Sequence, residues 1–333
     1  MKDVLMISYS IGRGVAGLRS QALIAFLKKK GVNVKAIDCN SSLFAWYIRL
    51  FLSIFFGKQK VVYFSCGPFL YSIFFIILAK ILLKKVVVDF RDPWSINILS
   101  NYGKPGNVNP YKYKFVLFLE RFIYLLCDNF IVCTEGMYVE YSQIFKNNNK
   151  LILVLNGYSF DFYNLNKENK ENKENKEKIK FVCIGKFAEY SEIKAENIFN
   201  DIKRKSKKPF SIDFIGSDYD INAKVLNKCG ILQYSTFHEK KSYKDAIDFT
   251  LSCDVGLLIV RDENVEYGTK IFDYIGLRKP FYSILRKDEL FFKEFNSFLF
   301  DFECKEIVLY DLDKMAVTYN RDTQFLKLEG ILY

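Results

Sequence analysis

Residues 254–281 read DVGLLIVRDENVEYGTKIFDYIGLRKPF. The unbroken apolar run Val255–Val260 suits a parallel strand buried on both faces. A charged loop, Arg261 to Gly268, leads into Thr269–Gly276, a short helix with Thr at its start and Gly at its end. Phe281–Leu285, after Pro280, reads as the next strand. This order puts a helix N-terminus beside a strand's carboxyl end, where open α/β sheets bind ligands and unpaired amides favour phosphate. Thr269 and Asp273 share one helix face. Such a pair suits a diphosphate below and sugar hydroxyls above, and it equally suits a Thr N-cap with a solvated Asp.

The chain has 333 residues, 50% of them hydrophobic, which is enough for two α/β domains. Its net charge of +11 points to an anionic partner: nucleic acid, a membrane surface or a phosphorylated substrate. Aromatics make up 17%, and many of the 33 Phe sit in two early apolar stretches. No nucleic-acid motif is legible, so an anionic membrane is favoured and nucleic-acid binding is not expected. The eight cysteines form no C-x-x-C pair, which implies isolated reduced thiols and no zinc site. MKDVLMISYS enters a strand directly, without the apolar region of a signal peptide, so a cytoplasmic location is expected.

The first half alternates strand and helix. Val4–Ser8 runs into a loop containing Gly12 and Gly14, then a helix that ends in Lys28-Lys29-Lys30-Gly31. The glycines let backbone approach a ligand, yet their spacing is not G-x-G-x-x-G, and a tight strand-to-helix turn explains them as well. Leu43–Phe56 and Pro68–Leu83 are almost wholly apolar, and neither is a clean membrane span. The second fits a crossover helix; the first suits a helix lying on a membrane, with Arg49, Lys58 and Lys60 meeting lipid phosphates. Arg91, Asp92 and Trp94, in the stretch DFRDPW at residues 89–94, follow a strand and mark a candidate site. An ion-paired loop is the plain alternative there. Ser95–Tyr113 reads as a loop.

NKENKENKENKE at 166–177 has no apolar residue and reads as a solvated linker. Strand and helix then restart, with strands at Ile179–Ile184, Phe210–Ile215 and Gly230–Gln233 and a helix at Tyr243–Ser252. The expected division is 1–164, a linker at 165–178, a second domain at 179–318, and a final segment at 319–333. Gly185 and Lys186 lie at a strand's carboxyl end and Lys194 in the next helix start, where lysines could neutralise a diphosphate leaving group. His238, the one histidine, sits in a polar stretch. No nucleophile triad can be built.

Tyr267–Pro280 resembles the donor-site stretch of GT-B-fold nucleotide-sugar glycosyltransferases, particularly the large retaining family 4. Gly185-Lys186 resembles the Gly-Arg that opens that family's second domain, and Asn156-Gly157 its interdomain Asn-Gly. Asp89–Trp94 and Gly12–Arg19 resemble first-domain signatures, and Asn320–Leu332 the helix that crosses back. The resemblance implies an α/β fold of two Rossmann-like, doubly wound parallel-sheet domains facing a cleft. It implies a nucleotide-diphosphate sugar as donor substrate, no further cofactor, no metal, and a glycan or lipid-linked acceptor.

By the same resemblance Gly185, Lys186, Lys194, Gly268, Thr269, Lys270 and Asp273 hold the donor, with Asp273 on the ribose. Gly12, Gly14, Arg91, Asp92 and Trp94 lie on the acceptor side, and Lys186, Asp92 and Glu266 act in catalysis. Two features depart from the family. Its E-x7-E pair is absent, because Val265 stands eight before Asp273 and Glu263 and Glu266 are off register, and its first-domain histidine has no counterpart. The expectation is a glycosyltransferase of surface polysaccharide or glycolipid assembly. A nucleotide-sugar 2-epimerase on the same fold, and a catalytically silent binding or scaffold protein, are the alternatives.

Overall fold

The computed structural model describes residues 3–12, 14–39, 42–67, 69–100, 108–160, 178–265, 267–303 and 309–333. It divides into two compact units, Met1–Asn156 with Arg321–Tyr333, and Gly157–Asn320. The changeover falls ahead of the charged run, and residues 161–177, which include that run, lie outside the described residues.

In the first unit the described residues form a parallel sheet of order β2-β1-β3-β4-β5-β6. The strands are β1 (Asp3–Ser8), β2 (Asn33–Ile37), β3 (Val61–Cys66), β4 (Lys85–Phe90), β5 (Asn129–Val132) and β6 (Leu151–Leu153). β1, β3 and β4 are buried over five consecutive positions each, as their continuous apolar runs require. The helices are α1 (Gly14–Lys29), α2 (Leu43–Phe55), α3 (Phe69–Ile81), α4 (Trp94–Ser100), α5 (Pro110–Leu126) and α6 (Glu135–Phe145).

Both apolar stretches are therefore crossover helices. α2 buries Trp46, Leu50 and Ile54 and leaves Phe44, Ile48 and Phe55 exposed. No helix among the described residues is long and apolar enough to cross a membrane. The loop expected over Ser95–Tyr113 is corrected. Residues 94–100 are helical, and α5 starts at Pro110 under an Asn109 cap that accepts from the Tyr111 and Lys112 amides. Asn followed by Pro is a helix-start signal, since Pro at the first helical position lacks only an amide that would be unpaired anyway. Residues 101–107 lie outside the described residues.

The second unit's sheet has order β11-β10-β7-β8-β9 and is also parallel among the described residues. Its strands are β7 (Ile179–Ile184), β8 (Phe210–Ile215), β9 (Ser235–His238), β10 (Val255–Leu257) and β11 (Phe281–Tyr282). The strand expected at Gly230–Gln233 lies further on, at β9, because Leu232–Tyr234 winds into a 3₁₀ turn. The helices are α7 (Glu192–Lys205), α8 (Tyr219–Lys228), α9 (Tyr243–Leu251), α10 (Lys270–Gly276), α11 (Leu290–Phe295) and α12 (Leu309–Thr318). Phe181, Phe187, Phe199 and Phe214 are fully buried in its core, each side chain contributing about 1.5–3 kcal/mol by leaving water.

The chain then returns through α13 (Arg321–Phe325) to the first unit. Phe325, Leu328 and Leu332 complete a core with Val4, Met6, Leu23 and Phe26. Gln324 accepts the Leu155 amide at 3.0 Å, and Arg321 donates to the Asn156 carbonyl at 2.7 Å.

Candidate active site

β7 ends in Gly185, whose φ of +66° only glycine adopts without strain. That turn aims the Gly185-Lys186 peptide at the start of α10. The Lys270 ammonium donates to the Lys186 carbonyl, and it also lies 5.3 Å from the Tyr190 ring centroid. The Arg261 guanidinium sits at 5.3 Å from the same ring. The Lys186 side chain is exposed and makes no ion pair or hydrogen bond among the described residues. Gly268 is exposed, with nothing within 4 Å of where a Cβ would stand. Gly185, Lys186, Gly268 and Lys270 thus form an open basic surface at the carboxyl end of the sheet.

Thr269 enters α10 with helical backbone angles and makes no side-chain cap. Asp273, one turn on, accepts a hydrogen bond from the Tyr243 hydroxyl at 2.6 Å. Beneath them Gly256 leaves room for Tyr274; a Cβ at Gly256 would come within 2.5 Å of that ring. The buried Tyr274 hydroxyl contacts the Val182 and Leu257 carbonyls at 3.2 and 3.1 Å, tying α10 to β7 and β10.

Lys194 is engaged by the loop after β10. Its ammonium donates to the Val260 carbonyl at 2.7 Å and pairs with Glu263 at 3.4 Å. Glu263 is 7% exposed and also accepts the Arg286 amide at 2.9 Å, so the pair pins the loop after β10. Glu266 lies outside the described residues. Glu189 went unread in the sequence, since nothing around it signals a role. It accepts from the Phe187 and Asp218 amides and the Asn222 side chain at 2.8–2.9 Å, fastening the loop after β7 to the loop after β8. Burial works against its charge, but those donors prevail and hold its carboxyl below the ordinary value. His238 pairs with Asp213 at 2.7 Å.

In the first unit the DFRDPW charges do not satisfy one another. Asp89 is 1% exposed and takes its partner from α1: Arg19 Nε donates to it at 3.1 Å and the Tyr63 hydroxyl at 2.7 Å. Arg19 also donates to the Val154 and Leu155 carbonyls, at 2.9 and 2.8 Å. Nothing in the sequence separation of Arg19 and Asp89 announced this pairing. Arg91 Nε and Nη1 are buried and have no hydrogen-bond partner among the described residues. Asp92 is exposed, and Trp94 stacks on Phe69 at 4.8 Å. Gly12, at φ +73°, is exposed, donates to the Gly17 carbonyl and begins the turn into α1, which opens at Gly14.

Comparison with known proteins bears on the fold. No family model matches the chain, and no curated protein does either. Solved structures do match over almost its whole length. A structure of HepE from Anabaena, in complex with UDP and glucose, is 11% identical with a TM-score of 0.60, covering 99% of this chain and 95% of that one. The lipopolysaccharide outer core galactosyltransferase WaaB in its apo form is 10% identical at TM-score 0.61, covering 99% and 98%. The UDP-GlcNAc 2-epimerase of Methanocaldococcus jannaschii is 13% identical at TM-score 0.54, covering 100% and 99%. The chain has the GT-B fold, two Rossmann-like parallel-sheet domains, which it shares with these enzymes.

Proposed function

We propose that the chain is a glycosyltransferase that moves a sugar from a nucleotide-diphosphate sugar to a glycan or lipid-linked acceptor. The observation that carries this reading is the open basic surface where Gly185, Lys186, Gly268 and Lys270 meet at the strand ends of the second unit. Glycines allow backbone to approach a diphosphate closely, and fixed cations stabilise the charge that grows on it as it leaves. Asp273, oriented by Tyr243, is suited to accept from ribose hydroxyls. Lys194 serves here by holding the loop after β10.

In the proposed reaction the bond from the anomeric carbon to the diphosphate oxygen breaks as the acceptor oxygen bonds to that carbon. The acceptor proton passes to the departing diphosphate, so a retained configuration needs no protein nucleophile. Lys186 and Lys270 take the charge role, and metal independence is part of the proposal. Gly12, Gly14, Arg91, Asp92 and Trp94 belong to the acceptor side, and the reaction takes place at the cytoplasmic face of a membrane. The many exposed apolar residues of the first unit support that location.

The fold shared with a 2-epimerase supports a second reading, turnover of a nucleotide sugar without any acceptor. A thermal-shift panel of UDP-, GDP-, CMP- and dTDP-sugars tests the donor site. One nucleotide is expected to stabilise the protein, and Asp273→Ala to weaken that binding about tenfold, the worth of a hydrogen bond to a charged group. No shift with any nucleotide sinks the reading in favour of a silent scaffold, and consumption of the sugar without acceptor favours the epimerase.

A further inference from the structure

Between Asp38 and Asp89 the chain has no acidic residue, although it holds 38 in all. α2 and α3 fall inside that span, and their only charges are Arg49 and Lys80. Lys80 is closed in a pair with Asp128 at 3.0 Å. The two helices pack together and leave a groove of about 600 Å³ between them, lined by Phe44, Ile48 and Phe51 of α2 and Leu70, Tyr71 and Phe74 of α3. That volume is in the range of small-molecule sites. Phe44 is 74% exposed, Leu70 64% and Phe74 59%, more contiguous apolar surface than a protein leaves in water without a use for it.

A cation that makes no ion pair among the described residues, Arg91, follows β4 beside the start of α3. The groove's α3 lining comes from the first half of that helix, and each helix follows its strand's carboxyl end. Phe69, which opens α3, packs on Phe90 at 4.9 Å and stacks on Trp94. Arg91 lies between Phe90 and Trp94 in the chain, both of which pack on Phe69 at the start of α3. With Nε and Nη1 buried and unpartnered among the described residues, its guanidinium lacks the anion that such a planar donor fork fits.

We propose that the first unit binds a lipid phosphate, with one alkyl or isoprenyl chain in the α2–α3 groove and the phosphate on Arg91. This deepens the glycosyltransferase reading and rests on it for its sense, because it makes the acceptor a lipid-linked one. The binding itself needs no donor.

The test uses the full chain and dodecyl phosphate below its aggregation threshold, followed by tryptophan fluorescence. The chain has two tryptophans. The Trp46 ring lies 4.7 Å from Tyr71, and Trp94 stacks on Phe69, so both report on this site. A saturable change is expected, with dodecanol at least about tenfold weaker and inorganic phosphate alone without effect. Arg91→Gln is expected to reduce dodecyl phosphate to the level of dodecanol, and Phe74→Asp to weaken both.

Equal affinity for the phosphate and the alcohol overturns the proposal, as does wild-type binding by Phe74→Asp. A response to phosphatidylglycerol vesicles with none to monomeric dodecyl phosphate also overturns it, and makes this face a bilayer-docking surface. Nucleotide-sugar shifts on the same samples separate the two readings. Loss of the donor shift alone breaks the second-unit site, and loss of lipid binding alone breaks this one.

Discussion

The carboxyl ends of the two sheets carry polar groups of opposite availability. In the first unit Asp89 is sealed by Arg19 and Tyr63, and the Glu120 carboxylate accepts from the Tyr141 hydroxyl and Ser95 amide below the surface. In the second unit Lys186 and Gly268 stand open, and Lys270 donates to the Lys186 carbonyl and lies against Cys183 and the Tyr190 ring. A charge at a strand end is therefore no guide to function until its partners are known. Asp89 and Glu120 are held by partners inside their own unit, whereas Lys186 is exposed.

The strongest way to break that comparison is to remove one cation from each sheet. Arg19→Met strands a buried carboxylate and is expected to cost about 3–5 kcal/mol in urea unfolding. Lys270→Met is expected to stay within about 0.5 kcal/mol of the parent while donor affinity falls. Equal losses in the two variants would erase the distinction. A smaller effect sharpens it from below: Gly256→Val pushes Tyr274 off the β7 and β10 carbonyls, for about 1–3 kcal/mol. That variant is expected to lower the thermal midpoint and to weaken nucleotide binding, since α10 loses its seat.

The smallest effect is a pH slope. Burial pushes the Glu120 carboxyl above its ordinary value, against the pull of its Ser95 and Tyr141 hydrogen bonds. The folded chain therefore holds this proton to higher pH than the unfolded one. The stability it contributes is present below the ordinary carboxylate range and is lost as pH rises through the raised value. Urea midpoints compared between mildly acidic and neutral pH are expected to fall less for Glu120→Gln than for the parent. A parallel fall in both would show that the carboxyl stays ionised in the fold.

The strands were legible wherever both faces are buried, because Val86–Val88 and Phe181–Cys183 leave water no side to wet. Short edge strands were not: β9 has no fully buried residue, and the 3₁₀ turn before it carries the apolar residues Leu232 and Tyr234. Gly185 was legible as a strand-end position, and Gly268 entered the candidate site through the family resemblance. The engagement of Lys194 with Glu263, and of Arg19 with Asp89, was not legible. Those pairs join residues far apart in the chain, and composition says nothing about which of many charges will meet.

The return of the chain has a consequence for how it is made. Phe325, Leu328 and Leu332 belong to the core of the first unit, yet the ribosome adds them only after all of the second. Until then β1 and α1 stand with part of their apolar surface uncovered, a state prone to association. The second unit has every residue of its own core well before that point and is free to fold first. A polypeptide halted anywhere before Phe325 keeps the first unit open, so closure of that core marks a chain translated through its last helix.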